Sequence, residues 1–226
     1  MRRLFSALFP CILLLLVLLA AFQGRNSSAA LSETELENRI WQLSVVLRGE
    51  NAEGSGCIYG YDEERQVLVI ITAGHVLKEV KLADGTVLPA ASFLTAEECD
   101  LGYVYLPYEK LPEKEKAYFE KEADGKFGEF LQIRESSSLQ KNDAFHMPDK
   151  ISTGECSFVT GYVVDPDRYL EEFGCEMIYA DGGAVPGMSG SGMFDDSGRL
   201  IGILCGATEQ YELAGVPAER IERYRQ

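Results

Sequence analysis

Histidine is scarce in this chain of 226 residues, which has only His75 and His146. No C-x-x-C pair occurs among its six cysteines. Both shortages argue against the His/Cys ligand sets that hold zinc, so neither a metal nor another cofactor is expected. Basic side chains are few as well, 21 Lys and Arg against 36 Asp and Glu. Phosphate contact needs positive charge, so nucleic acid is not an expected partner. Internal repeats are missing. One further absence is positional: no histidine follows Ser189, the serine crowded by glycines in Gly187-Met188-Ser189-Gly190-Ser191-Gly192. A hydrolase that runs nucleophile, acid, histidine along the chain is thereby excluded, and Ser191 breaks the G-x-S-x-G elbow of that class.

What is present fits the opposite order. Glycines around Ser189 supply a sharp turn that exposes a hydroxyl and lets backbone N–H groups approach a reacting carbonyl oxygen. Ser191 is the alternative nucleophile, but the register of Pro186-Gly187 and a strand starting at Gly192 favour Ser189. His75 ends the β-branched run Val67–Ile71 followed by Thr72-Ala73-Gly74, small residues that leave room for an imidazole. His146 has no such setting and reads as structural or surface. Asp100 heads the alternating stretch Leu101–Leu106, where its carboxylate can hold the imidazole tautomer. Asp62 and Asp84 sit in turn-like segments and are weaker candidates. The result is the order His75, Asp100, Ser189.

Segmentation follows from composition. Residues 1–30 read as a signal peptide or N-terminal anchor: Arg2 and Arg3, an apolar core, then Ser28-Ala29-Ala30 as a cleavage site. Residues 4–22 are 19 mostly apolar positions, near the lower limit for a span and a possible membrane tether. Either way the remainder, 31–226, is expected outside the cytoplasm. Without the leader, 18 basic side chains face 36 acidic ones, the balance of a soluble extracytoplasmic surface. A helical or extended lead-in is expected at 32–39. Strands are expected at 40–48, 56–61, 67–72, 76–82, 86–93 and 101–106, then at 130–134, 143–146, 156–164, 175–180, 192–194 and 200–205. The charged stretch 109–126 reads as a solvated linker helix. Proline at the first turn suggests a closing helix at 217–225. Cys156 and Cys175 flank two strands of one hairpin and are the favoured disulfide. Cys57, Cys99 and Cys205 read as small buried apolar residues.

With these residues placed, the chain resembles a trypsin-like serine protease of the chymotrypsin fold, nearest to the HtrA/DegP-like branch. Six segments carry the resemblance. They are Gly54–Tyr59, Ile71–Val76, Val80–Gly85, Asp100-Leu101-Gly102, Asp181–Ser191 and Gly215–Ile221. The resemblance implies an all-β fold of two Greek-key six-stranded β-barrels with a short C-terminal helix. Barrel 1 would cover about 40–108, a linker about 109–127, and barrel 2 about 128–226. It also implies an endopeptidase acting on peptides or proteins through an acyl-enzyme. In it, His75, Asp100 and Ser189 would be catalytic, and the N–H groups of Gly187 and Ser189 would form the oxyanion hole. Gly183 would lie at the base of the substrate pocket, with Ile203, Leu204 and Cys205 on a wall. No acid occupies position 183, which argues against a Lys or Arg side chain in that pocket, and Cys205 with the small Gly182, Gly183 and Ala184 suggests a medium apolar one. Two residues depart from the family pattern. Gly102 replaces an alanine, and Met188 stands where the zymogen-activated branch has an aspartate that binds a new N-terminus. A chymotrypsin-fold protein that binds peptides without cleaving them, and an esterase on the same scaffold, are the alternatives.

Overall fold

The structure is a computed structural model that describes residues 32–48, 53–62, 64–77, 93–96, 99–110, 113, 116, 131–152 and 157–221. Eleven strands and one longer helix are formed among them. The helix α1 (Glu33–Leu43) opens with a capping box, in which the Ser32 side chain accepts from the Glu35 N–H and the Glu35 carboxylate accepts from the Ser32 N–H. Leu36, Ile40 and Leu43 recur at helical spacing and are buried. The expected strand at 40–48 therefore begins later, as β1 (Ser44–Arg48). Apolar spacing of three and four residues overrode the local strand propensity of Ile40-Trp41.

Strands β2 (Glu53–Asp62), β3 (Val67–Ala73), β4 (Phe93–Ala96) and β5 (Leu101–Pro107) complete an antiparallel sheet in the order β1-β2-β3-β5-β4. His75 lies directly after β3 in a short 3-10 turn, Gly74–Val76, where a new strand was expected to start. The rest of that expected strand, most of the one at 86–93, the leader, and most of the charged linker lie outside the described residues. Among the described residues no helix is long and apolar enough to cross a membrane.

The second unit is a closed barrel, β10-β11-β8-β7-β6-β9, built from β6 (Ala144–Pro148), β7 (Phe158–Leu170), β8 (Cys175–Gly182), β9 (Gly192–Phe194), β10 (Leu200–Ala207) and β11 (Glu212–Pro217). Strands β6, β7 and β8 are consecutive hairpin neighbours, and β9 returns beside β6, which is a Greek key. The molecule is thus a chymotrypsin-like pair of β units. Pro217 does not start a helix as expected; it ends β11 opposite Gly202, and helical residues begin at Arg220.

Two cores hold the fold. Phe145, Met147, Val163, Ile178, Met188, Met193 and Ile201 fill the closed barrel. A larger cluster is shared between the units: Tyr59, Ile70, Ile71 and Tyr103 of the sheet join Met177, Phe194, Ile203 and Val216 of the barrel. Burying that surface from both sides fixes the cleft between the units. The Tyr103 hydroxyl adds a buried bond to the Ile221 carbonyl at 2.6 Å.

Packing explains the first departure from the family pattern. A Cβ at Gly102 would fall 2.4 Å from Leu77 Cδ1 and 3.3 Å from the Gly74 Cα. Leucine at 77 occupies the space that an alanine at 102 would need. Gly102→Ala is expected to destabilise the protein by about 1–3 kcal/mol through overpacking. In a Leu77→Ala background the same substitution is expected to cost less, only the 3.3 Å approach to the Gly74 Cα remaining. Denaturant midpoints of the four proteins test this, and equal costs in both backgrounds would refute the account.

Candidate active site

The pairing of β3 with β5 sets Ala73 opposite Leu101. The residues flanking that pair, Gly74-His75 and Asp100, therefore meet at one end of the sheet. The Gly74 N–H donates to the Asp100 carbonyl at 3.1 Å. Asp100 uses both carboxylate oxygens on His75: Oδ1 accepts from the backbone N–H at 2.9 Å, and Oδ2 lies 2.6 Å from Nδ1. This two-point grip fixes the ring's position and turns Nε2 away from the carboxylate. The imidazole is 49% exposed and the aspartate 20%, so the ring can be reached from solvent while its orienting partner is sheltered.

Ser189 lies on the loop between β8 and β9. That loop crosses to the first sheet, where the Ser55 N–H donates to the Ser189 carbonyl at 2.8 Å and the Ser55 hydroxyl to the Gly187 carbonyl at 3.0 Å. Thr72, three residues before His75, donates its hydroxyl to the Ser55 carbonyl at 2.6 Å. A chain of contacts thus joins the serine loop to the histidine strand. From the barrel side, the Gly190 N–H donates to the Leu204 carbonyl at 2.7 Å. Ser189 is partly accessible, whereas Ser191 is buried with its hydroxyl 3.4 Å from the Pro148 carbonyl. Burial removes Ser191 from contention as a nucleophile.

Gly187 has φ +96°, and the Met188 N–H donates to the Val185 carbonyl at 3.1 Å, closing a turn with positive φ at its third position. Among the described residues neither the Gly187 N–H nor the Ser189 N–H donates to a protein acceptor. Met188 is wholly buried in the barrel core, with its sulfur 3.5 Å from the Val185 nitrogen.

Of the pocket candidates, Gly183 faces open space where a Cβ would stand. Ile203, Leu204 and Cys205 are buried, Ile203 and Cys205 toward the shared core and Leu204 toward the barrel core. Cys205 instead touches the other key residue: its thiol lies 3.1 Å from the Asp100 carbonyl. His146 stands apart from this group, bound to Thr160 and Asp196. Asp62 caps its own turn through the N–H groups of Glu64 and Arg65. Asp84 lies outside the described residues.

Sequence reasoning missed Ser55 and Thr72 as positioning groups. A buried threonine in an otherwise apolar strand was the available signal for Thr72. Ser55 could be found only from the register across the cleft.

The favoured disulfide is not formed. Cys175 is a free thiol, buried beside Cys99 and 3.5 Å from the Met177 sulfur; Cys156 lies outside the described residues. Burial pushes the Cys175 thiol up to about 12, with hydrogen bonding and charge at Cys99 adding to it. Burial also raises the thiols of Cys57 and Cys205. Thiolate is the reactive form, so these three are expected to resist iodoacetamide in the folded protein. Peptide mapping before and after denaturation measures this, and native alkylation at 57, 175 or 205 would contradict it.

Similar proteins bear on the same arrangement. The structure is similar to the inactive form of a serine-to-alanine mutant of Rv3671c from M. tuberculosis, with 14% identity, a TM-score of 0.61, and coverage of 86% of this chain and 90% of that one. It is also similar to the HtrA-type protease AlgW with a tripeptide, with 18% identity, a TM-score of 0.64, and coverage of 85% of this chain and 62% of that one. The chain thus spans less than two thirds of the AlgW chain. At these identities the likeness establishes the fold. No curated protein matches by sequence. The sequence profile of the trypsin-like peptidase domain matches residues 54–203, more than half of the chain and a range that contains His75, Asp100 and Ser189, and the chain therefore belongs to the trypsin-like peptidase family.

Proposed function

We propose that the protein is an extracytoplasmic serine endopeptidase. The observation that carries this reading is the two-point grip of Asp100 on His75, at 2.9 and 2.6 Å, beside a serine loop tied to the same sheet. In the proposed mechanism the Ser189 hydroxyl attacks the scissile carbonyl while His75 Nε2 takes its proton. Asp100 stabilises the imidazolium without accepting a proton itself. The carbonyl oxygen, now negative, receives the N–H groups of Gly187 and Ser189. One such donor is worth about 3 kcal/mol of transition-state stabilisation. His75 then returns its proton to the leaving amine, and water hydrolyses the ester by the same route in reverse. Gly183 offers room for a medium apolar side chain ahead of the scissile bond. Secretion or tethering through residues 4–22 follows from the leader composition alone.

A fluorophosphonate probe applied to the full chain tests the reading. Labelling that disappears in Ser189→Ala is the expected result. A folded protein that is never labelled would be a peptide-binding module instead. Cleavage of small esters with no peptide cleavage would make it an esterase.

A further inference from the structure

Residues 149–151 join α1 to the turn that carries Gly187, and the proposed mechanism leaves them without a task. The Lys150 ammonium donates to the Ser44 carbonyl at 2.6 Å, at the C-terminal cap of α1. It also lies 4.5 Å from the centre of the Trp41 ring. A helix C-terminus carries partial negative charge and an indole face attracts cations, so one ammonium satisfies both. Trp41 also packs against Phe158, edge to face at 6.3 Å.

The next residue, Ile151, rests on Gly187. A Cβ built at Gly187 would fall 2.7 Å from Ile151 Cδ1 and 3.2 Å from Cγ2. Between these two contacts the backbone has little freedom. Buried Asp149 accepts from the N–H groups of Ile151 and Ser152 at 3.1 and 2.9 Å, and its own N–H donates to the Ser157 carbonyl at 2.9 Å. Movement of Lys150 is therefore transmitted to Ile151. The Gly187 carbonyl is also held by the Ser55 hydroxyl.

We propose that Lys150 is a positioning residue for the oxyanion turn: its grip on Ser44 and Trp41 holds Ile151 against Gly187, so the first helix and the Gly187 N–H are set by one chain of contacts. The inference rests on the serine-peptidase reading of Ser189. Its expected signature is selective. Loss of the grip loosens a donor that acts on the transition state and leaves the cleft that binds the peptide unchanged.

The test uses the full chain and a peptidyl diphenyl phosphonate with valine next to phosphorus. Ser189 Oγ forms a bond to phosphorus, the bond to one phenoxide breaks, and phenol leaves with the serine proton. Inactivation kinetics separate reversible binding, KI, from the covalent step, kinact. Lys150→Met is expected to lower kinact about ten-fold or more with KI within about two-fold, since a lost oxyanion donor costs about 10²–10³ in turnover. Lys150→Arg, which keeps a cation and a donor over Trp41, is expected to restore kinact. Ile151→Ala breaks the chain beyond the lysine and is expected to show the same split; it decides the matter if Lys150→Met does not fold. Wild-type kinact in both folded variants, or equal losses in kinact and KI, would overturn the proposal. A wild-type chain inert to the phosphonate would overturn the peptidase reading itself, and this inference with it.

Discussion

Asp100→Asn is expected to lower kcat by about 10⁴ while leaving the fold and the fluorophosphonate-accessible loop in place. The asparagine can still accept from the His75 N–H through its carbonyl, as Oδ1 does now at 2.9 Å. At the position of Oδ2, 2.6 Å from Nδ1, it presents an NH₂ group. Two donors cannot share a hydrogen bond, so the ring must place its proton on Nε2, where the base function is needed. The result is a well-folded protein whose histidine holds its proton on the wrong nitrogen. Steady-state turnover of a peptide substrate measures the loss. A variant within ten-fold of wild type would mean that Asp100 does not orient the base, and the reading of the site would fail with it.

The second large effect is expected at Gly190. Its φ is +90°, and a Cβ there would stand 2.0 Å from the Ser55 carbonyl oxygen and 2.2 Å from the Thr72 hydroxyl. These two atoms are bonded to each other within the first sheet, and the N–H of the same Ser55 ties the serine loop to it. Relief requires the loop to withdraw from β2, which breaks the bond between the Ser55 N–H and the Ser189 carbonyl. Misplacement of a reacting group by about 1 Å costs about 10²-fold in rate. Gly190→Ala is expected to lose at least that much in kcat/KM. Its backbone conformation adds a stability cost above about 1 kcal/mol, because alanine is strained at positive φ. Kinetics with a thermal melt check both; near wild-type labelling by the fluorophosphonate would show that the loop does not depend on this contact.

How much of this could be read from the chain depends on the range of the interactions involved. The strands around His75 and Asp100 were legible because an apolar β-branched run and an alternating one announce themselves locally. Chain order then limited which histidine could serve which serine. The helix boundary at Leu43 was misplaced because Ile40 and Trp41 suit a strand as well as a helix, and the deciding contact is burial of Ile40 in the shared core. Pro217 misled for a related reason. A proline can open a helix or close a strand, and its pairing with Gly202 decides for the strand. The free thiol at Cys175 was illegible because its neighbours, Cys99 and Met177, are set by tertiary packing. Ser55 is the clearest case of what sequence withholds, since its partners in the serine loop lie 132 and 134 residues further along the chain.

Met188, sealed in the barrel core, has a consequence for how such a protein comes into service. Where relatives lock this turn with a newly cut amine against a carboxylate, here a thioether sits in oil. Its anchorage draws on solvent exclusion, which neither salt nor proton concentration screens and which fades on cooling. Under the peptidase reading proposed above, folding itself would set this turn, with no ion pair to a new N-terminus at position 188.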